Sequence, residues 1–415
     1  QCHVLQRCDS FMKTMRGSNH TGMRQFNERT VLRAIRHEGA IPKADLARLT
    51  QLSSQTVSII VNRLLEDGLL IKQDRIRGKI GQPSVPLAIN PDGAYSIGLQ
   101  VGRRSLEVVV TDFLGRMRHQ WQHNYPYPSP TEVLPKIKEG LKLMQKRMGA
   151  EAWKRAVGIG LSAPLAMHQW GDLMGKKAQK AMVDWEHIDL VQEVQAMSAL
   201  PVEFAKDTTA ACVAELVQGL GRDVPNFLYV YVGTFVGGGL VMDGHIVNGP
   251  RGNAGAIGSM PIGLPPLGTR ANANTPAQLL QLASGWQLEQ ALMAAGHDPL
   301  LVQQDAIMSP EFSAFTQPWL SQAAKALAMS ATSAAALLDL DAIIMDGSLN
   351  PKLLQALIQQ TEASLAQFSF DGIHQPQILA GQVGSHARAL GGALLPLHAQ
   401  FFPDKDIFLK QDELG

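Results

Sequence analysis

Four stretches of this 415-residue chain carry side chains able to do chemistry. The first is Ser53-Ser54-Gln55-Thr56, followed by Ser58, Asn62 and Arg63. Small hydroxyl and amide groups at the start of a helix can hydrogen-bond base edges in a major groove. Gln55 suits adenine and Thr56 a thymine methyl. The second is the basic run Arg75 to Lys79, where Arg77 and Lys79, with Gln82 just beyond, could neutralise phosphates or enter a minor groove. The third is Lys206-Asp207-Thr208-Thr209, a cation and a carboxylate side by side. The fourth is Val232 to Ile262, VGTFVGGGLVMDGHIVNGPRGNAGAIGSMPI, with two glycine series, Gly233 to Gly239 and Gly249 to Gly258. Such glycines let the backbone turn with positive φ and let a ligand or another segment come close.

These groups need elements to hold them. Asn27 can cap a helix through Leu32 and Ile35, Lys43 to Leu49 reads as a short amphipathic helix, and Ser53 or Ser54 caps a longer one to Glu66. Its apolar stripe is Val57, Ile60, Val61, Leu64 and Leu65, at helical spacing. Gly68 to Lys72 and Val85 to Ile89 are strand-like and flank the basic loop. Three helices and a β-wing make a winged helix-turn-helix over residues 23–90. Asn90-Pro91-Asp92-Gly93 is the turn that follows it. Residues 1–22 show no periodicity and read as a disordered arm, with Met12, Met15 and Met23 all able to be translation starts.

Composition narrows the classes. The 45% hydrophobic content is that of a soluble globular protein, and the length asks for two or three domains. Net charge is +1, but residues 24–82 carry +5 and the remainder −4, so an anionic partner is expected for the N-terminal module alone. Cys2, Cys8 and Cys212 form no disulfide framework, in keeping with a reducing cytoplasm. The longest apolar run, Ala326 to Leu338, is too short to span a bilayer and reads as a buried helix; no membrane partner is expected.

From Tyr95 the chain alternates strands and helices. Tyr95–Val101 and Leu106–Thr111 pair, and Arg103 and Arg104 between them read as an exposed hairpin tip. Val157 to Leu161 is a buried strand, and Ser162-Ala163-Pro164 is read as the loop at its end, where α/β sheets gather ligands. Phe227–Val232 reads as a buried strand, Leu240–Met242 as its return strand, and Asp243-Gly244 after it as a hairpin turn signal.

The glycine frame Gly233-Thr234-Phe235-Val236-Gly237-Gly238-Gly239, then Ala254-Gly255-Ala256-Ile257-Gly258-Ser259, resembles the sugar-kinase-and-repressor family called ROK. That family writes roughly G-T-G-I-G-G-G and A-G-E-I-G-H. The phrase Ala44-Asp45-Leu46-Ala47 to Gly68-Leu69 resembles the DNA-binding end of its repressors. The resemblance covers roughly residues 27–400. It implies an α/β architecture, the two-lobed actin-like, sugar-kinase ATPase fold behind a winged helix-turn-helix. Lobe one would be about 91–200 plus a C-terminal helix at 384–401, and lobe two about 201–383, within a ROK domain of residues 91–415.

The polar residues depart from the family. Its sugar-binding Glu, His and second Glu fall on Ala256, Ser259 and Leu280. Its ATP hairpin has Gln100 for Asp and Arg104 for Thr, and a glutamine cannot organise magnesium as a carboxylate does. Residues 260–281 hold no Cys or His for its zinc site, so no metal and no cofactor are expected. Its wing arginine is Gln82 here. Asp207 keeps the place of the family's catalytic base, and Lys206 replaces a neutral Asn. Lys206 either faces the cleft or pairs with Glu203 or Asp207 on the surface. The residues therefore point to a non-enzymatic, DNA-binding transcriptional regulator. It would be a repressor of carbohydrate genes, binding a double-stranded operator as a homodimer or homotetramer. A sugar-like effector in contact with Ser162, Ala163, Lys206, Asp207, Gly233, Thr234, Asn253 and Ser259 would relieve repression. A sugar kinase with an N-terminal module, or a DNA-bound scaffold without a ligand, are the alternatives.

Overall fold

The N-terminal module follows its apolar spacing. The computed structural model describes residues 20–74, 85–165, 167, 176–263 and 276–403. Its first elements are α1 (His20–Glu38), β1 (Ala40–Ile41), α2 (Lys43–Thr50), α3 (Ser54–Glu66), β2 (Leu70–Lys72) and β3 (Leu87–Ile89). Val57, Ile60, Val61 and Leu64 of α3 are buried against α1 and α2, while Leu65 lies half-buried at the edge of the stripe. Ser53 caps α3, its hydroxyl accepting from Thr56 N at 3.1 Å. The helix expected from Asn27 instead starts at His20, so Asn27 sits inside α1 and caps nothing. A strand not foreseen, β1, pairs with β3 and makes the wing a three-stranded sheet, order β1-β3-β2. Two residues are too few for alternation to be read.

Two five-stranded sheets form the body. The first contains β4 (Tyr95–Val101), β5 (Ser105–Asp112), β6 (Met117–Asn124), β7 (Ala156–Ala163) and β8 (Val202–Lys206), in the order β6-β5-β4-β7-β8. Helices α4 (Pro130–Lys154) and α5 (Leu190–Met197) pack against it. Strand β8 pairs in parallel with β7, so the first sheet runs to Lys206. The second sheet follows α6 (Asp207–Gln218). It contains β9 (Phe227–Val232), β10 (Val236–Met242), β11 (His245–Val247), and, after α7 (Gly285–Ala294) and α8 (Ser313–Leu338), β12 (Ala342–Gly347). Helix α9 (Pro351–Leu365) leads to β13 (Gln377–Ala380), giving the order β11-β10-β9-β12-β13. Every residue of β9 is buried, as expected for a central strand covered on both faces.

The last helix, α10 (Ala387–Phe401), lies between the lobes. It packs on β4 and β7 of the first sheet and on α6 of the second lobe. Its apolar face also joins the winged helix to the body. One continuous core runs from Val31, Ile35 and Val61 through Phe113 to Leu390 and Leu397. Arg36 of α1 reaches into this joint. Its Nη2 donates to the Phe113 carbonyl at 2.7 Å, and its guanidinium lies over the rings of Phe113 and Phe402. Burial lowers its pKa to about 10. Among the described residues no helix is long and apolar enough to cross a membrane.

Candidate functional site

A cavity of about 420 Å³ opens between the lobes, within the usual range for a small-molecule site. Its floor is the β9–β10 hairpin. Gly237, Gly238 and Gly239 lie inside β10, in register with Tyr231, Val230 and Tyr229, and do not make the turn the sequence suggested. Their purpose is close approach. A Cβ on Gly255 (φ +71°) would sit 2.7 Å from Gly239 Cα, so the two glycine series touch backbone to backbone. That contact carries Asn253, Ala256 and Ser259 to the cavity wall, beside Gly233 and Thr234.

Lys206 and Asp207 also line the cavity, at the junction of β8 and α6. Lys206 Nζ donates to Asn253 Oδ1 at 3.0 Å, so it faces the cleft rather than pairing with Glu203. Burial holds its pKa below the usual lysine value, against the pull of Asp207. Asp207 Oδ1 accepts from Thr208 N at 2.8 Å, and Oδ2 lies 3.7 Å from Arg388 Nη1. The Asp207 carboxylate is therefore already engaged on both oxygens by the chain itself.

Two expected contacts fall elsewhere. Ser162 and Ala163 are buried strand residues, because β7 stays paired with β8 through Ala163 and Lys206. Ser162 Oγ donates to the Arg388 carbonyl at 3.1 Å. The chain leaves the sheet only at Pro164, and Pro164 and Leu165 reach the cavity instead.

The hairpin tip is the largest correction. Arg103, buried, and Arg104, half-buried, cross the cleft to Glu289 of α7, at 3.3 and 2.9 Å. The Arg103 and Glu289 side chains are only 9% and 4% exposed. Thr234 Oγ1 also donates to Glu289, at 3.3 Å, and the Arg103 guanidinium lies 4.5 Å from the Trp286 ring centre. Burial takes Arg103 down to about 10 and raises Glu289, although each opposes the shift of the other. The hairpin that cradles phosphates in the kinases is thus tied to the facing lobe by the chain itself.

Arg388, Glu289, Glu107 and Tyr231 were not singled out in the sequence. Arg388 enters from α10, and its guanidinium lies 5.1 Å from the Tyr231 ring centre. Glu107 Oε1 accepts from Gln120 at 2.6 Å and lies 3.0 Å from His386 Nδ1. The one signal available for Arg388 was a lone charge in a run of small apolar residues.

On the winged helix, Ser53, Ser54, Gln55, Thr56 and Ser58 share the start of α3. Ser53 Oγ and Thr56 Oγ1 are 2.8 Å apart, which leaves the Thr56 methyl as its available contact. Asn62 accepts from Lys43 at 3.0 Å, and Arg63 is drawn to Glu28 of α1 at 2.8 Å. Ile59, on the same face, is 64% exposed. Arg77, Lys79 and Gln82 lie outside the described residues, as do residues 264–275 of the stretch read as lacking zinc ligands. Among the described residues no cluster of three His, Cys, Asp or Glu could hold a metal.

A winged helix joined to two lobes with a ligand-sized cleft defines a class of chain: a winged-helix module on a two-lobed α/β body. The chain belongs to the ROK family, whose sequence profile matches residues 96–399. A MarR family profile matches residues 25–79. The chain is similar to the xylose repressor of Bacillus subtilis, 26% identical over 59% of this chain and 62% of that one. It is also similar to the xylose repressor of Caldicellulosiruptor bescii, 25% identical over 58% and 59% of the two chains. It spans about three fifths of the length of these curated relatives. In fold it resembles a solved ROK family transcriptional regulator, a homologue of the E. coli MLC protein. The TM-score is 0.68 at 21% identity, over 93% of this chain and 98% of that one.

Proposed function

We propose that this protein is a DNA-binding transcriptional regulator, a repressor of carbohydrate-metabolism genes whose grip on its operator is relieved by a sugar-like effector in the cleft. The observation that carries this reading is the joint. The winged helix and the cleft share α10, whose start holds Arg388 against Asp207 and whose end meets Arg29 and Arg36 of α1. Arg29 Nη1 donates to the Phe402 carbonyl at 3.1 Å. In this reading α10 is the element through which occupancy of the cleft would reach α3. Sugar-kinase chemistry is disfavoured because Gln100, Ala256 and Ser259 stand at the positions its ligands would need, and Asp207 is paired.

The assembly would be a homodimer or homotetramer, so the DNA site is two-fold, with half-sites one or two helical turns apart. Sequence selection from a random duplex pool at moderate salt tests this. Recovery of no preferred sequence would overturn the reading. Gln55→Ala is expected to relax specificity at one base position, at about 1–3 kcal/mol. Replacing Lys79 is expected to weaken all sequences alike and flatten the salt dependence. A coupled assay with glucose, mannose or xylose and ATP is expected to show no turnover; turnover lost in Asp207→Asn would favour the kinase.

A further inference from the structure

The cleft is unevenly charged. Among the described residues, the carboxylates in or beside it are Glu107, Asp207 and Glu289, and each is already matched by a base. Glu107 meets His386, Asp207 meets Arg388, and Glu289 takes both Arg103 and Arg104. Lys206 differs. It lines the cavity, its partner is the neutral amide of Asn253, and among the described residues it forms no ion pair. An amide oxygen satisfies one of three ammonium hydrogens and balances no charge. Burial disfavours the charged form of Lys206, opposed by the pull of Asp207, which Arg388 already engages.

Two further donors in this wall are unused. Gln100 is 2% exposed and its Nε2 has no hydrogen-bond partner; Arg388 Nε is buried and equally unmatched. Both residues line the cavity. These two atoms are closed off from the cavity space, so it is the Lys206 ammonium that meets an incoming group. What would satisfy the ammonium, with hydrogens to spare and a charge to balance, is an oxyanion. Arg388 also lines the cavity, with its Nη1 3.7 Å from Asp207 Oδ2. The Ala256, Ser259 and Leu280 side of the cavity, poor in acceptors, is suited to the less polar edge of a ligand.

We propose that the cleft takes an acidic sugar-like metabolite, a sugar acid or a sugar phosphate, whose anionic group is held by Lys206 with Arg388 beside it. The inference rests on the effector reading above and names the class of that effector. Lys206 sets the preference for the acid, and Arg388 carries the bound charge to the start of α10.

The experiment is calorimetric titration of the full chain with glucose, mannose and xylose, each against its own aldonate and its own phosphate, and with inorganic phosphate alone. For at least one sugar the acid is expected to bind at least tenfold more tightly than the neutral form. Comparing aldonate with phosphate then tells which oxyanion fits. Lys206→Met is expected to abolish the preference and Lys206→Arg to keep it, so a general loss of folding cannot imitate the result. The affinity for the acid is expected to fall as pH rises toward the lowered lysine pKa, because the counter-charge is lost. The proposal is overturned if neutral sugars bind as tightly as their acids, if none of the series binds, or if Lys206→Met keeps the preference. It is also overturned if inorganic phosphate alone matches the sugar phosphates. None of these outcomes touches the DNA-binding reading, which fails separately if no duplex sequence is selected.

Discussion

Glu289→Ala is expected to destabilise the body by about 3–5 kcal/mol, because it strips the shared partner from two arginines set across the cleft. Arg103 is 9% exposed and has no ready route to water, whereas Arg104, 29% exposed, can turn outward. That places the loss toward the lower end. The result discriminates between two views of the contact. If the latch merely decorates the surface, the change costs under about 1 kcal/mol, as exposed pairs do. If it fastens the lobes, urea unfolding shows the larger loss and small-angle scattering shows a wider particle. A second variant separates lost packing from stranded charge. Replacing both partners, as Arg103→Met with Glu289→Leu, removes the buried charges together and should recover much of the loss.

The pH dependence of the same group has a definite sign. Burial holds the Glu289 carboxyl above the usual carboxylate range in spite of both arginines. The folded chain therefore takes up this proton more readily than the unfolded one. The contribution is fully present below the unfolded pKa and is lost as pH rises through the raised folded value. In Glu289→Gln that slope is expected to disappear from the stability profile. The latch is thus better understood as fixing the closed arrangement of the lobes than as adding net stability.

The sequence showed the elements better than it showed their meeting points. The α3 stripe, the cap at Ser53 and the buried β9 were legible, because helical spacing, capping chemistry and a continuous apolar run are local signals. So was the glycine frame, although its reason was misassigned: in β10 the glycines admit α6 and the second glycine loop, and they make no turn. The latch was not legible. Arg103 and Glu289 are 186 residues apart, and nothing in either neighbourhood names the other. Arg104 by itself looked like a hairpin tip, because a cation between two strands is usually solvated. Ser162 and Ala163 were misplaced for a similar reason. The end of β7 is set by pairing with β8, which no local signal in Val157 to Pro164 contains. The cleft is built from residues of both lobes and of α10, so its charge pairs emerge only when the chain is folded.

Gly391→Ala gives an expected result opposite in sign to helix propensity. Gly391 lies inside α10, a 15-residue helix about 20 Å long. On propensity alone, alanine there would be favoured by about 1 kcal/mol. Packing reverses this. A Cβ on Gly391 would overlap the carbonyl oxygen of Ala210 in α6, and one on Gly160 of β7 would overlap the carbonyl oxygen of Gly392. The groups in the way are backbone, so they cannot turn aside as a flexible side chain would. Overpacking of this kind costs about 1–3 kcal/mol and occasionally more, and here it must also cancel the propensity gain. We expect a net loss of about 2 kcal/mol or more, read as a lowered Tm. The change should also reach function at both ends of the helix. Displacing α10 shifts Arg388 from Asp207 at its start and Phe402 from Arg36 at its end. Effector affinity and operator affinity are therefore expected to fall together in Gly391→Ala. Ala399→Ser, at an exposed position of the same helix, should leave both intact. A Gly391→Ala protein as stable as the parent, or one that loses only one of the two affinities, would show that α10 does not couple the cleft to the winged helix.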